Sequence, residues 1–236
     1  MTATEAASPR PAGDVLLEAT DLYRFYHAGD DETLALRGVS IVLRAGEITS
    51  VTGPSGSGKS TLLACLAGLD EPDGGAVRIG TDMMSRRGEA DRARLRARSI
   101  GILFQSGNLV DHLTVEQNIV LAQRLAGNVD RAAASQLLDS FGLRDRAKSS
   151  PPTLSGGEAA RAGLAVALAN DPSVILADEP TGELDDGTAT RLMDLLRERA
   201  DGGAAVLVVT HDLDLAAGTD RRIALHDGSI DTERSR

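Results

Sequence analysis

Gly53-Pro54-Ser55-Gly56-Ser57-Gly58-Lys59-Ser60 sets three glycines, a lysine and a hydroxyl at the spacing of a phosphate-binding P-loop. Gly53, Gly56 and Gly58 let the backbone turn its amides inward with no Cβ in the way. A helix starting at the loop adds its positive end to the field. Lys59 has the charge and reach to neutralise β- and γ-phosphates, and Ser60 offers a hydroxyl to Mg²⁺. The predicted nucleotide contacts therefore run from Gly53 to Thr61, taking in Pro54, Ser55 and Ser57. Farther along, the apolar run Val174–Ala177 ends in Asp178-Glu179. A carboxylate at the carboxyl end of a buried strand is placed to hold a metal's shell, so Asp178 is the predicted metal ligand. Glu179, one residue on, points the other way.

Leu154-Ser155-Gly156-Gly157-Glu158 is a third element of this kind. Small residues at a helix start expose amides and a hydroxyl, which is a second phosphate-binding device. The first loop already holds one nucleotide's phosphates, so the second invites another subunit. Ser155 with Glu158 also forms the capping-box pattern, and the two roles are compatible.

Elements must position these groups. Val15–Ala19 and Leu34–Leu43 read as strands with a polar connection at Gly29–Glu32. Ile48–Thr52 is the strand that delivers the P-loop, and Lys59–Gly68 is the helix after it. Strands follow at Ala76–Ile79 and Ile100–Phe104, the second carrying Gln105 at its end. Helical spacing from Thr114 to Phe141, broken at Gly127-Asn128, predicts a two-helix lobe between core strands. Val174–Ala177 and Ala204–Val209 are short continuous apolar runs of the type buried in parallel sheets. Between them Ala189, Leu192, Met193 and Leu196 make one face of a covering helix. Alternating strands and helices predict an α/β fold with a doubly covered sheet.

The chain has 236 residues, enough for one sizeable domain with an inserted lobe. Its 25 Lys and Arg against 35 Asp and Glu leave a net charge of −10. That argues against a broad nucleic-acid-binding face. Arg86, Arg87, Arg92, Arg94, Arg96 and Arg98 lie at helical spacing among Glu89 and Asp91, which favours a solvated face. No apolar stretch approaches the length of a bilayer span, so a membrane role would be borrowed from a partner. Residues 1–14 are polar and small, and read as a disordered tail ahead of a domain at 15–236. The single Cys65 reads as a buried packing residue, in keeping with a reducing cytosol.

The order of P-loop, Gln105, Leu154–Glu158, Asp178-Glu179 and His211 makes the chain resemble the ATP-binding-cassette (ABC) ATPases, from about Val15 to Gly228. The resemblance implies a P-loop NTPase core with a mostly parallel sheet, an antiparallel β subdomain, and a helical signature subdomain inserted at about 107–170. It implies ATP and Mg²⁺ as ligands, and makes Glu179 the general base for the attacking water. Gln105 becomes the Q-loop glutamine, a metal contact that senses the membrane partner, and His211 the switch histidine at the γ-phosphate. Tyr26 matches the aromatic residue that stacks on adenine, although Tyr23 and Phe25 sit nearby and packing is an equal alternative for each. Pro180–Asp185 matches the D-loop, so Asp185 joins the nucleotide set. Ser155, Gly156 and Gly157 would close on the ATP of the opposite chain in a head-to-tail homodimer.

Phe104-Gln105-Ser106, Asn108-Leu109, Leu113-Thr114-Val115 and the D-loop look most like the macrolide-exporter and lipoprotein-releasing branch. This implies an ATPase subunit, cytoplasmic and peripheral on the membrane, energising export or extraction of an amphiphile through a separate transmembrane permease. An alternative within the branch is a mechanical role, driving a cell-wall hydrolase through a membrane partner. A soluble cassette protein acting on DNA or ribosomes fits poorly, since those join two cassettes or insert a long coiled coil. Ala159 and Ala160 replace two usual glutamines, Val166 a usual arginine, and Gln117 a usual glutamate. These departures bear on the contacts of the lobe and on pairing with the membrane partner.

Overall fold

The structure, a computed structural model, describes residues 13–28, 31–182 and 184–235. Most of the expected tail, 1–12, and the turn residues 29–30 lie outside the described residues. Asp14, assigned to the tail by the sequence, accepts a backbone bond from Ala45 at 2.8 Å and so belongs to the fold.

Two sheets form the frame. β1 (Val15–Ala28), β2 (Asp31–Arg44), β4 (Gly74–Ile79) and β5 (Asp82–Met83) make an antiparallel sheet of order β2-β1-β4-β5. β1 continues well past the Ala19 expected from sequence. The polar Thr20-Asp21 is a bulge within it, with Asp21 at φ 49° and its amide bonded to Ser40 Oγ at 2.9 Å. The aromatic cluster at 23–26 therefore lies on a strand.

β3 (Ile48–Thr52), β6 (Ile100–Leu103), β7 (Val174–Asp178), β8 (Ala205–Val209), β9 (Arg221–His226) and β10 (Ser229–Ser235) form the second sheet, in the order β10-β9-β3-β8-β7-β6. All its pairings are parallel except the β9–β10 hairpin. Adjacent strands lie about 4.8 Å apart, so the carboxyl ends of β3, β8, β7 and β6 line one edge over roughly 14 Å. The P-loop, His211, Asp178-Glu179 and Gln105 follow those four ends in that order.

Both faces of this sheet are covered, and strand alternation shows how. Val174, Leu176, Ala205, Leu207 and Val209 face one cluster with β1, β2, β4 and α1 (Lys59–Leu66). Ile175, Ala177, Val206 and Val208 face the other, with α3 (Val115–Ala126), α4 (Arg131–Ser140), α5 (Gly156–Ala167) and α6 (Asp186–Asp201). A strand buried on both sides must be apolar at every position, which is the pattern read from sequence.

The two-helix lobe is present with its predicted break: Gly127 ends α3 in a left-handed conformation. Gln117 fills the third helical position of the α3 capping box, bonding Thr114 N through Oε1 at 2.9 Å. A glutamine serves there as a glutamate would. α2 (Glu89–Ser99) carries the arginines, and Arg92 pairs with Glu71 and Glu89, Arg94 with Asp91, and Arg87 with Asp82. Most of the basic stretch is thus engaged by carboxylates of α2 itself and of neighbouring segments. Cys65 is buried, and burial pushes its thiol up to about 12.

Candidate functional site

β3 runs straight into the P-loop, and α1 begins at Lys59 with no side chain capping its N-terminus. An uncapped helix start with the amides of a Gly-rich loop is ready for an anion. Gly53 and Gly58 are required here. A Cβ on Gly53 (φ 153°) would lie 2.1 Å from Leu225 O, and one on Gly58 (φ 101°) 2.4 Å from Ala35 O. Lys59 Nζ bridges the loop, donating to Gly53 O at 2.8 Å and Pro54 O at 2.9 Å. Ser57 Oγ is buried with no hydrogen-bond partner, which is costly unless a ligand or water completes it.

Asp178 closes β7 two strands from the P-loop. Burial raises its pKa, with Glu179 alongside adding to the rise; the Ser60 hydroxyl and Lys59 oppose it. A carboxylate held in such a place gains from a cation. Among the described residues no group of three or more His, Cys, Asp or Glu could cage a metal by itself. Mg²⁺ characteristically takes one or two protein groups and completes its octahedron with phosphate oxygens and water. Ser60 and Asp178, beside an anion site, fit that ion.

Glu179 leaves the strand in the left-handed region, at φ 46°, while its amide still completes the ladder to Val209 O at 2.9 Å. A non-glycine residue in that region is strained, and such strain collects at functional positions. Its side chain is mostly buried and reaches His211 across the neighbouring strand end, Oε1 to Nδ1 at 2.9 Å, 32 residues away in sequence. His211 is 74% exposed, so it braces the carboxylate from the solvent side.

Gln105 follows β6 and lines a cleft of about 480 Å³ with Glu179, Gly156, Ala159, Ala160 and Leu184. Two residues that sequence reasoning did not single out for a role pin its loop. Asn108 bonds both Phe104 N (2.8 Å) and Phe104 O (2.6 Å). Asn118 does the same for Val110, at 2.8 and 3.3 Å. An asparagine within a few residues of a loop's backbone is the available signal. The Ala159 and Ala160 departures thus shape this cleft, and Val166 packs on the helical core.

Ser155 caps α5, with the predicted capping box to Glu158 complete. Glu158 also pairs with Arg146 at 2.9 Å. Gly156 is open, with nothing within 4 Å of a Cβ position. Gly157 is not: a Cβ there would meet Thr188 Cγ2 at 3.0 Å, so this start of α5 lies directly on α6. Asp185 caps α6, bonding Thr188 N at 3.0 Å and Thr188 Oγ1 at 2.8 Å. Tyr26 is exposed, and its hydroxyl bonds Asp70 at 2.8 Å. Tyr23 is equally exposed and lies beside Gly38 and Gly74.

The structure brings Lys59, Ser60, Asp178, Glu179 and His211 to one sheet edge. Ser155 bonds Glu158 on α5 and Gly157 lies against Thr188 on α6, while Gly156 stays open. The arrangement can bind a nucleoside triphosphate, hold a divalent cation beside it, and take a proton from a water.

Residues 36–182 match the model of the ABC transporter family. The lipoprotein-releasing system ATP-binding protein LolD of Legionella pneumophila (strain Paris) is 38% identical over 221 residues, covering 92% of this chain and 97% of its own. The macrolide export ATP-binding/permease protein MacB of Escherichia coli (strain K12) is 42% identical over 219 residues, covering 91% of this chain but only 34% of MacB. The ATP-binding cassette MJ0796, solved as a dimer in a post-hydrolysis state with ADP and Pi, superposes at a TM-score of 0.86 with 35% identity over 93% of this chain and 98% of that one. With its P-loop, its Asp-Glu pair and His211 at one edge, the chain belongs to the ABC transporter family.

Proposed function

We propose that this chain is the ATP-binding, ATP-hydrolysing subunit of a membrane ABC transporter, energising export or extraction of an amphiphile through a separate permease. Relatives named for lipoprotein release and macrolide export, matched over more than nine-tenths of this chain, support that branch. No helix among the described residues is long and apolar enough to cross a membrane. A cytoplasmic position, peripheral on the membrane through the permease, accords with this.

The observation that carries the reading is the edge where Glu179 meets His211 beside Asp178 and Lys59. Lys59 and the amides of the Gly53–Thr61 segment hold the phosphates. Ser60, Asp178 and Gln105 hold Mg²⁺, which when bound neutralises charge on the β- and γ-phosphate oxygens. Glu179 accepts the proton of the attacking water. His211, bonded to its carboxylate, keeps Glu179 aimed and lies ready for the γ-phosphate. Tyr26 stacks on the base.

Ser155, Gly156 and Gly157, on the helical lobe at about 107–170, serve the nucleotide of a second copy, and Asp185 joins them in the D-loop. Open space at Gly156 leaves the device free for such a phosphate. The working form is a head-to-tail homodimer around two ATP molecules, and no nucleic-acid partner is expected.

Glu179→Gln keeps shape and removes the base. Sized with Mg²⁺-ATP, it should run as a dimer; a monomer at saturating ATP would contradict the sandwich. Retrieved with ATP from detergent-solubilised native membranes, it should bring a stoichiometric permease, and recovery of soluble partners alone would overturn the transport reading.

A further inference from the structure

We propose that Arg24, Asp70 and Asp73 form a clamp that presets the Tyr26 ring as a one-sided platform for the nucleotide base, so that residues never touching ATP set its base-dependent affinity. The proposal rests on the reading of Tyr26 as the base-stacking residue.

Tyr26 is 40% exposed, and an exposed tyrosine ordinarily samples several rotamers. Here it is tied on two sides. Its hydroxyl donates to Asp70 Oδ2 at 2.8 Å. The Arg24 guanidinium lies over one ring face, 4.8 Å from the centroid, a cation–π contact. Arg24 is itself held in a fork: Nε to Asp70 Oδ2 at 2.9 Å, and a second guanidinium nitrogen to Asp70 Oδ1 at 2.8 Å. A third nitrogen reaches Asp73 Oδ2 at 3.0 Å. This bidentate geometry fixes the plane of the guanidinium, and with it the plane of the ring beneath.

The carboxylates are anchored in turn. Asp70 follows α1, and its amide bonds Ala64 O at 3.1 Å. Asp73 accepts from Phe25 N at 2.8 Å and donates its own amide to Tyr23 O at 2.9 Å. The turn after α1 is thereby stitched to β1 immediately before Tyr26.

Two consequences follow. With one face covered by Arg24, a base can stack only on the other, and the ring need not be ordered when it does. The guanidinium also draws π density from the ring, which lessens its repulsion of an electron-rich purine.

The chain has two tyrosines and no tryptophan, so a Tyr23→Phe background leaves Tyr26 as the sole fluorophore of its class. In that background, titrations with Mg²⁺-ATP and with inorganic tripolyphosphate separate base from phosphate binding. Tyr26→Ala, followed by displacement of a labelled nucleotide, should weaken ATP and leave tripolyphosphate unchanged. Asp70→Asn, Arg24→Met and the mild Tyr26→Phe should each weaken ATP about two- to ten-fold, again sparing tripolyphosphate. ATP, not tripolyphosphate, should quench the Tyr26 emission. Adding Asp70→Asn to Tyr26→Ala should cost nothing further, because the clamp acts only through the ring.

Equal losses for ATP and tripolyphosphate would show that the clamp works on α1 and would overturn the proposal. So would unchanged ATP affinity in the clamp variants when Tyr26→Ala does lose it. If Tyr26→Ala leaves ATP untouched, the base-stacking reading itself falls, and the clamp with it.

Discussion

Glu179 carries two burdens that substitution can separate: the proton-accepting carboxylate and a left-handed backbone at φ 46°. An L-residue in that region costs about 1–2 kcal/mol, which glycine escapes. Glycine's greater freedom in the unfolded chain takes back roughly 0.5–1 kcal/mol. Glu179→Gly should therefore be more stable than Glu179→Ala by about 0.5–1 kcal/mol. For a chain of this length that is roughly 1–4 °C in melting temperature. The comparison with alanine isolates the backbone, since both variants lose the bond to His211. Both should also lose hydrolysis by about 10²–10⁴-fold, the usual worth of a general base. Thermal melts and single-turnover phosphate release measure the two effects on the same samples. A glycine variant no more stable than the alanine variant would refute the strain argument. Hydrolysis within ten-fold of the parent would refute the assignment of Glu179 as base.

Lys59→Ala removes the cation that spans the P-loop; charged hydrogen bonds contribute about 1.5–3 kcal/mol each, so ATP affinity should fall by at least about ten-fold in a titration. Leu176→Ala, in the middle of β7 and fully buried, should cost about 2–5 kcal/mol in denaturant unfolding; less than 1 kcal/mol would mean the strand is not packed against α1 and the antiparallel sheet as described. Glu158 has a pKa held low by the Ser155 amide first and Arg146 next. Its stabilising effect is therefore present above the ordinary value of 4.5 and is lost as pH falls through the depressed folded value. Glu158→Gln keeps the capping box but has no such proton, so the parent's advantage over it should vanish on acidification, as followed by melts from neutral pH to about pH 3.

Local chemistry is what the sequence could state. A P-loop works through glycine φ angles and a helix start, all within a few adjacent residues, and its reading needed no knowledge of the rest of the chain. The same holds for the capping box at Ser155, and for β7 and β8, whose unbroken apolar runs announce two covered faces. Where local pattern conflicted with pairing, the reading fell short. The bulge at Asp21 hid the second half of β1. β9 and β10 went unread because Arg221–His226 opens on two arginines and Ser229–Ser235 is an exposed polar edge. Their place is set by pairing to β3 and by Arg221 bridging Glu47 and Glu233. Only the tertiary structure decided that Glu179 meets His211 and that the Tyr26 ring is held by Arg24 and Asp70. Those are contacts between strand ends and turns remote in sequence. No periodicity encodes them; strand order and register do.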